Sequence, residues 1–144
     1  MFSSFNISAS AMTAQRLRMD IISNNIANID TTRTEEGGTY RRQLPVFEER
    51  RNRPFSFFLS EKMKGRKDGG VQVSAVIEDQ SPFKTIYNPS HPDADEDGYL
   101  AMPNVDIVTE MVDMIDASRA YEANVTALNS LKNMSLKALE IGKG

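Results

Sequence analysis

At 144 residues, 40% of them hydrophobic, the chain has the length of about one domain and enough apolar content for a modest core. It carries no cysteine, no tryptophan and a single histidine, which excludes a thiol nucleophile, a cysteine-ligated zinc site and a disulfide framework. A formal net charge of -3 argues against wholesale attraction to nucleic acid or to an anionic membrane.

The first twenty residues lack both a basic n-region and a continuous apolar h-region, so no cleavable signal peptide is expected. No apolar run approaches the ~18 residues that span a bilayer, and no membrane insertion is expected. From 5 to 29, Phe5, Ala9, Met12, Met19, Ile22, Ile26 and Ile29 recur at helical intervals, with Ile7, Ala14, Leu17 and Ile21 forming a second stripe beside them. Neither Gly nor Pro interrupts, and Ser3 or Ser4 is placed to cap the start. The apolar face of this helix is wider than a two-stranded seam requires, so it needs partners on more than one side.

The middle of the chain, 31–102, changes period. Tyr40 to Glu48 reads as a strand that Pro45 confines to an edge. Val71 to Glu78 alternates as a half-buried strand does, "DQSP" offers a turn, and Phe83, Thr85 and Tyr87 alternate again, which together predict a β-hairpin. Between them, 49–70 reads as a loop or arm with Phe55, Phe57, Phe58 and Leu59 set in positive charge. That composition suits a neighbouring subunit, an anionic polymer or nucleic acid, and equally an insertion whose phenylalanines fold back onto the hairpin.

Charge is placed unevenly. Ten Lys/Arg face five acids between Arg33 and Lys67, whereas ten acids face only Lys84 between Glu78 and Asp116. Such opposition within one chain fits self-association, or else a solvated loop followed by a solvated helix start. In "HPDADEDGYL", Asp93, Asp95, Asp97 and Gly98 reproduce the first half of an EF-hand loop. The twelfth position is Asn104 in place of a bidentate Glu, and Pro82, Pro89 and Pro92 stand where the entering helix would be. Without the last ligand and the entering helix, no dedicated calcium site is expected; calcium binding at 93–98 is a minor alternative.

After Pro103 the pattern is helical to the end. Ile107, Met111, Met114, Ser118, Tyr121, Val125, Leu128, Lys132, Ser135 and Leu139 alternate four and three, the repeat of a supercoiled seam, with Val108, Val112, Ile115, Leu131, Met134 and Ile141 beside it. Asn104 or Asp106 supplies the N-cap and Gly142 the stop. A helix of this length outruns a small globule, so packing of the two ends against each other and against neighbouring molecules is predicted. The expected fold class is mainly α with a small β insertion: long N- and C-terminal helices packing as a coiled-coil-like pair, with a short β-hairpin-containing middle. Residues 1–30 and 103–142 would form one discontinuous helical assembly domain, and 31–102 a middle segment bearing the basic loop 49–70.

Catalysis is not expected. His91 sits in a proline-rich turn, the acids cluster in one loop or at a helix start, no glycine-rich phosphate loop occurs, and no cofactor is implied. Nucleic-acid binding would depend on 49–67 alone. A generic coiled-coil adaptor or partner-binding module is the alternative to a structural subunit, and it would form a small ordered oligomer by itself.

Particular stretches carry a resemblance. "SNNIANIDTT" at 23–32 and "NVDIVTEMVDMIDASRAYEANVTALNSLK" at 104–132 resemble the N- and C-terminal signatures of the bacterial flagellar basal-body rod protein family. "TTRTEEGGTYRRQ" with "SPFKTIYNPSHPDADEDGYLAMPNVD" resembles its proximal-rod branch. The resemblance implies a structural subunit of the rod, the drive shaft between motor and hook, stacking helically with itself and other rod subunits through its terminal helices. It further implies export without cleavage by the flagellar type III apparatus, a place in the periplasmic part of the basal body, and terminal segments that order on assembly. The motif positions Asn24, Asn25, Ala27, Asn28, Thr31 and Thr32, and Asn104, Val105, Asp106, Arg119, Tyr121 and Asn124, are carried over as subunit-interface candidates. The apolar positions Phe5, Met12, Met19, Ile22, Ile26, Met111, Met114, Val125 and Leu128 join them. No family motif is recognised in 49–70.

Overall fold

The computed structural model describes residues 2–35, 37–50 and 69–142. Most of the predicted arm, with its phenylalanine tip, therefore lies outside the described residues. The element order is α1 (Phe2–Ala27), β1 (Gln43–Glu49), β2 (Val71–Glu78), β3 (Lys84–Tyr87), β4 (Tyr99–Met102) and α2 (Ile107–Ile141). At 1.5 Å per residue the helices are about 39 and 52 Å long. The protein is mainly helical, with the two long helices packed together and two small antiparallel strand pairs in the middle.

α1 is wrapped on two sides. One side lies along α2; the other carries Ser10, whose hydroxyl donates to the Ile7 carbonyl (2.7 Å) and accepts from the Val71 backbone N–H (3.2 Å). This close approach explains Gly70, with φ +151°, where an added Cβ would stand 2.8 Å from Ser10 Oγ. Ala14, Ile21 and Ile22 are the buried apolar side chains of α1 among the described residues; Ala14 and Ile21 come from the second stripe, whose Ile7 and Leu17 stay exposed. Ser3 and Ser4 fall inside the helix, which begins at Phe2, and are not its cap.

The predicted hairpin is corrected. β2 pairs with β1, not with β3, and β3 pairs with β4, a strand the sequence reading did not anticipate. Pro45 sits opposite Val76, tolerated because a two-stranded ribbon consists only of edges, and the register shifts between Val46 and Phe47. The β3–β4 pair is closed by Tyr87 and Tyr99, whose rings meet edge to face with centroids 5.4 Å apart.

The α2 seam is also corrected. Met114, Ser118, Tyr121, Val125, Leu128 and Ser135 are at least half-buried, but Ile107, Met111, Lys132 and Leu139 are exposed, and Glu110, Ala117 and Leu131 take interior places. Ala117, fully buried, lets the helix backbones approach, and Glu110 is admitted because a cation meets it. Asp106, rather than Asn104, is the N-cap, accepting from the Thr109 N–H at 3.0 Å, and Gly142 ends the helix.

Candidate functional site

The apolar core is thin, and polar groups join the segments. Asn25 near the end of α1 is 1% exposed, and all four of its hydrogen-bonding positions are used. Its Nδ2 donates to the Gln43 carbonyl (2.9 Å) and to Glu110 Oε2 (3.1 Å); its Oδ1 accepts from Tyr40 Oη and from the Gln43 N–H, both at 2.9 Å. Glu110, which is fully buried, receives Arg42 Nε at 2.5 Å. Arg42 Nη2 reaches Asp113 at 3.0 Å, whose other oxygen takes Arg18 Nη2 at 2.9 Å. One arginine, just before β1, thus ties that segment to α2, and one aspartate ties α2 back to α1.

Asn104 extends the node. Its Oδ1 accepts from the Arg42 N–H (2.8 Å), and its Nδ2 donates to the carbonyls of Asp79 (3.0 Å) and Ser81 (3.2 Å). Arg41 stacks over Phe83 at 4.3 Å and donates to the same two carbonyls. Part of the charge opposition seen in the sequence is therefore satisfied inside the chain, since Arg42 meets Asp79, Glu110 and Asp113.

The predicted positions divide accordingly. Asn24, Asn25, Asn28, Thr31 and Thr32 are brought together: Asn28 Nδ2 caps the Asn24 carbonyl (2.9 Å), Thr31 donates to Asn28 Oδ1 (3.1 Å), and Thr32 donates to Asp93 (2.9 Å). Ile22 and Val105 are buried within the chain, while Phe5, Met12, Met19, Ile26, Met114, Tyr121, Val125 and Leu128 are half-buried. Asn124 donates to the Ala120 carbonyl at 2.7 Å. Ala27, Met111 and Arg119 are exposed, and Arg119 has no ion-pair or hydrogen-bond partner among the described residues. Sequence reasoning missed Tyr40, Arg42, Glu110 and Asp113. The signal was a lone glutamate in the buried phase of α2, which demands a cation elsewhere in the chain.

The acidic turn is held by its own backbone. The Gly98 N–H donates to the Asp95 carbonyl (2.9 Å) and the Asp95 N–H to the Tyr99 carbonyl (2.8 Å). Gly98 has φ +79°, and a Cβ there would stand 2.9 Å from the Tyr87 ring, so the glycine is required twice over. Among the described residues, no group of three or more His, Asp or Glu gathers as a metal cage. Millimolar calcium is expected to leave the thermal midpoint unchanged; a rise of several degrees at sub-millimolar calcium would revive the EF-hand reading.

Three groups set the pH response. Burial, then the carboxylates of Glu110 and Glu78, raises the Tyr40 phenol above its ordinary 10.0. The hydroxyl and backbone N–H of Ser81, followed by Arg42 and Arg41, lower Asp79; the backbone N–H and hydroxyl of Thr109, followed by Lys84, lower Asp106. An acid raised on folding gives up its contribution as pH rises from the unfolded value through the folded one. A lowered carboxylate contributes fully above ~4 and is lost as pH falls through its folded value. Stability is thus expected to fall above pH ~10, with Tyr40→Phe flattening that limb in urea titrations across pH. An unaltered alkaline slope in Tyr40→Phe would contradict the burial of the phenol.

Comparison with known proteins places this geometry. Residues 5–33 match the family model "Flagella basal body rod protein", and 96–141 match "Flagellar basal body rod FlgEFG protein C-terminal". The two matches contain nearly all of α1 with Asn25 and all of β4 and α2 with Glu110, the halves that the node joins. The chain is 49% identical to the flagellar basal-body rod protein FlgC of Borreliella burgdorferi, covering 100% of this chain and 99% of the relative. It is 49% identical to FlgC of Bacillus subtilis, covering 99% and 98%, and 41% identical to FlgC of Salmonella typhimurium, covering 96% of each. Two helices clamped side by side around a buried polar node, matched end to end at this identity, leave one assignment: the chain belongs to the FlgC family of flagellar basal-body rod proteins.

Proposed function

We propose that the chain is a structural subunit of the proximal rod, assembling helically with itself and other rod subunits into the shaft that carries motor torque to the hook. The observation that carries this reading is the clamped helix pair whose outward face stays apolar. Val108, Met111, Val112 and Ile115 are each between 50% and 65% exposed on the side of α2 away from α1. Residues 1–30 and 103–142 act as one assembly domain, and 31–102 as the insert that sets its angle. The half-buried and exposed candidates, from Phe5 and Met12 to Arg119 and Leu128, supply subunit contacts. Ile22, Asn25 and Val105 shape that surface from within.

Export by the flagellar type III apparatus without cleavage, a periplasmic position in the rod, and the absence of any catalytic role complete the proposal. Family membership supports it, and so do the mutually dependent terminal helices, which an export channel would receive unfolded. The test is deletion of the gene and complementation with this chain. Loss of rods and swimming on deletion, and recovery with an uncleaved chain in purified basal bodies, are expected; intact flagella after deletion would overturn the assignment.

A further inference from the structure

The helix pair is unequal, and the surplus of α2 packs against no other element among the described residues. Asn25 meets Glu110 and Arg18 meets Asp113, so the helices run antiparallel. Phe2 lies about 35 Å from Asn25 along α1, and the same length measured from Glu110 reaches the neighbourhood of Asn133. Partial burial on α2 accordingly stops at Ser135. Beyond α1, Met134, Leu136, Leu139 and Ile141 are 50–82% exposed, so among the described residues no element covers these apolar side chains.

We infer that the α2 tail of one copy docks on the α2 head of a second, parallel copy, with Leu136 seated between Val112, Ile115, Asp116 and Arg119. Those four residues stand at i, i+3, i+4 and i+7, the spacing that forms a hole for a knob, and all four are exposed. Charge sets the register. Sliding one copy along its neighbour until Asp116 is level with Lys137 also levels Arg119 with Glu140 and Ile115 with Leu136, so both ionic pairs match in sign at one position. Asp113 is already occupied by Arg18 and Arg42, whereas Asp116, beside the hole, is exposed. Because head and tail are different surfaces, the contact is heterologous and propagates instead of closing. The inference rests on the rod-subunit reading and names the contact within it.

The chain is free of cysteine, so disulfide trapping is clean. Ile115→Cys and Leu136→Cys variants of the full chain, mixed at about 1 mM and oxidised, are expected to give a cross-linked dimer. Neither variant alone should do so, and the doubly substituted chain should give a ladder. Asp116→Lys should reduce the yield by roughly threefold to tenfold, and adding Lys137→Glu in the same chain should restore it. Dimers from a single variant alone would show symmetric pairing and overturn the inference. So would an empty mixture, or a product that forms only when another rod subunit carries the second cysteine. If the unmodified chain restores swimming but the trap stays empty, the contact fails while the rod assignment stands.

Discussion

Replacing Arg42 with methionine is expected to lower the unfolding free energy by about 3–5 kcal/mol, and the thermal midpoint by roughly 10–15 °C. The reason lies in what the substitution leaves behind. Glu110 is fully buried, and Arg42 is the cation that meets it, so among the described residues its carboxylate would keep only the amide of Asn25. Methionine recovers some apolar burial, worth at most about 1–2 kcal/mol, which does not offset an uncompensated charge. By contrast, the exposed Lys84–Asp106 pair at 3.7 Å should hardly register when broken, because solvent screens it. A double variant, Arg42→Met with Glu110→Leu, should recover much of the loss, since a buried pair exchanged for apolar groups of similar size is often nearly neutral. Urea titration of all three variants decides it. If Arg42→Met costs less than about 1 kcal/mol, the node does not hold the segments together.

That contrast explains why some of this structure was legible in the sequence and some was not. The helices were legible because Ile22, Met114, Tyr121 and Leu128 recur with the helical period, and periodicity is a local signal. Their association was legible because neither stripe could be covered alone. Strand pairing was not: β2 has an equally plausible local partner in 83–87, and the long-range contacts of Asn104, Asn25 and Glu110 that draw residues 40–43 against the helices, and so β1 onto β2, are not local signals. The phase of α2 was misjudged near its start because an apolar seam was extended through Ile107 and Met111. The buried phase there belongs to Glu110, whose burial depends on an arginine far away in the chain. The asparagines of the family motif were found as positions, yet their work could not be read from them. Asn25 is an internal joint, while Asn28 closes the turn after α1.

Asn25→Asp should be at least as damaging as the loss of Arg42 at neutral pH, although it changes the side chain by a single atom. Both donated hydrogen bonds disappear, leaving the Gln43 carbonyl and Glu110 Oε2 without the amide. The oxygen that replaces Nδ2 would sit near 3.1 Å from Glu110 Oε2, so two carboxylates would share a site with no water between them. Unsatisfied buried acceptors cost about 1–3 kcal/mol each, and like charges at this distance add to that. The pH dependence separates the two effects. As pH falls, one carboxyl of the pair takes a proton and can donate to the other, so the deficit relative to the unaltered protein should shrink between pH 7 and 5. Asn25→Ala lacks the second carboxylate and should show a smaller, pH-independent loss over the same range. Equal losses for Asp and Ala at every pH would mean that repulsion plays no part. Swimming rescue should follow the same order, because the angle between the terminal helices is set where Asn25, Arg42 and Glu110 meet. On the proposed rod-subunit reading, a shaft built from these helices requires that angle to be the same in every subunit.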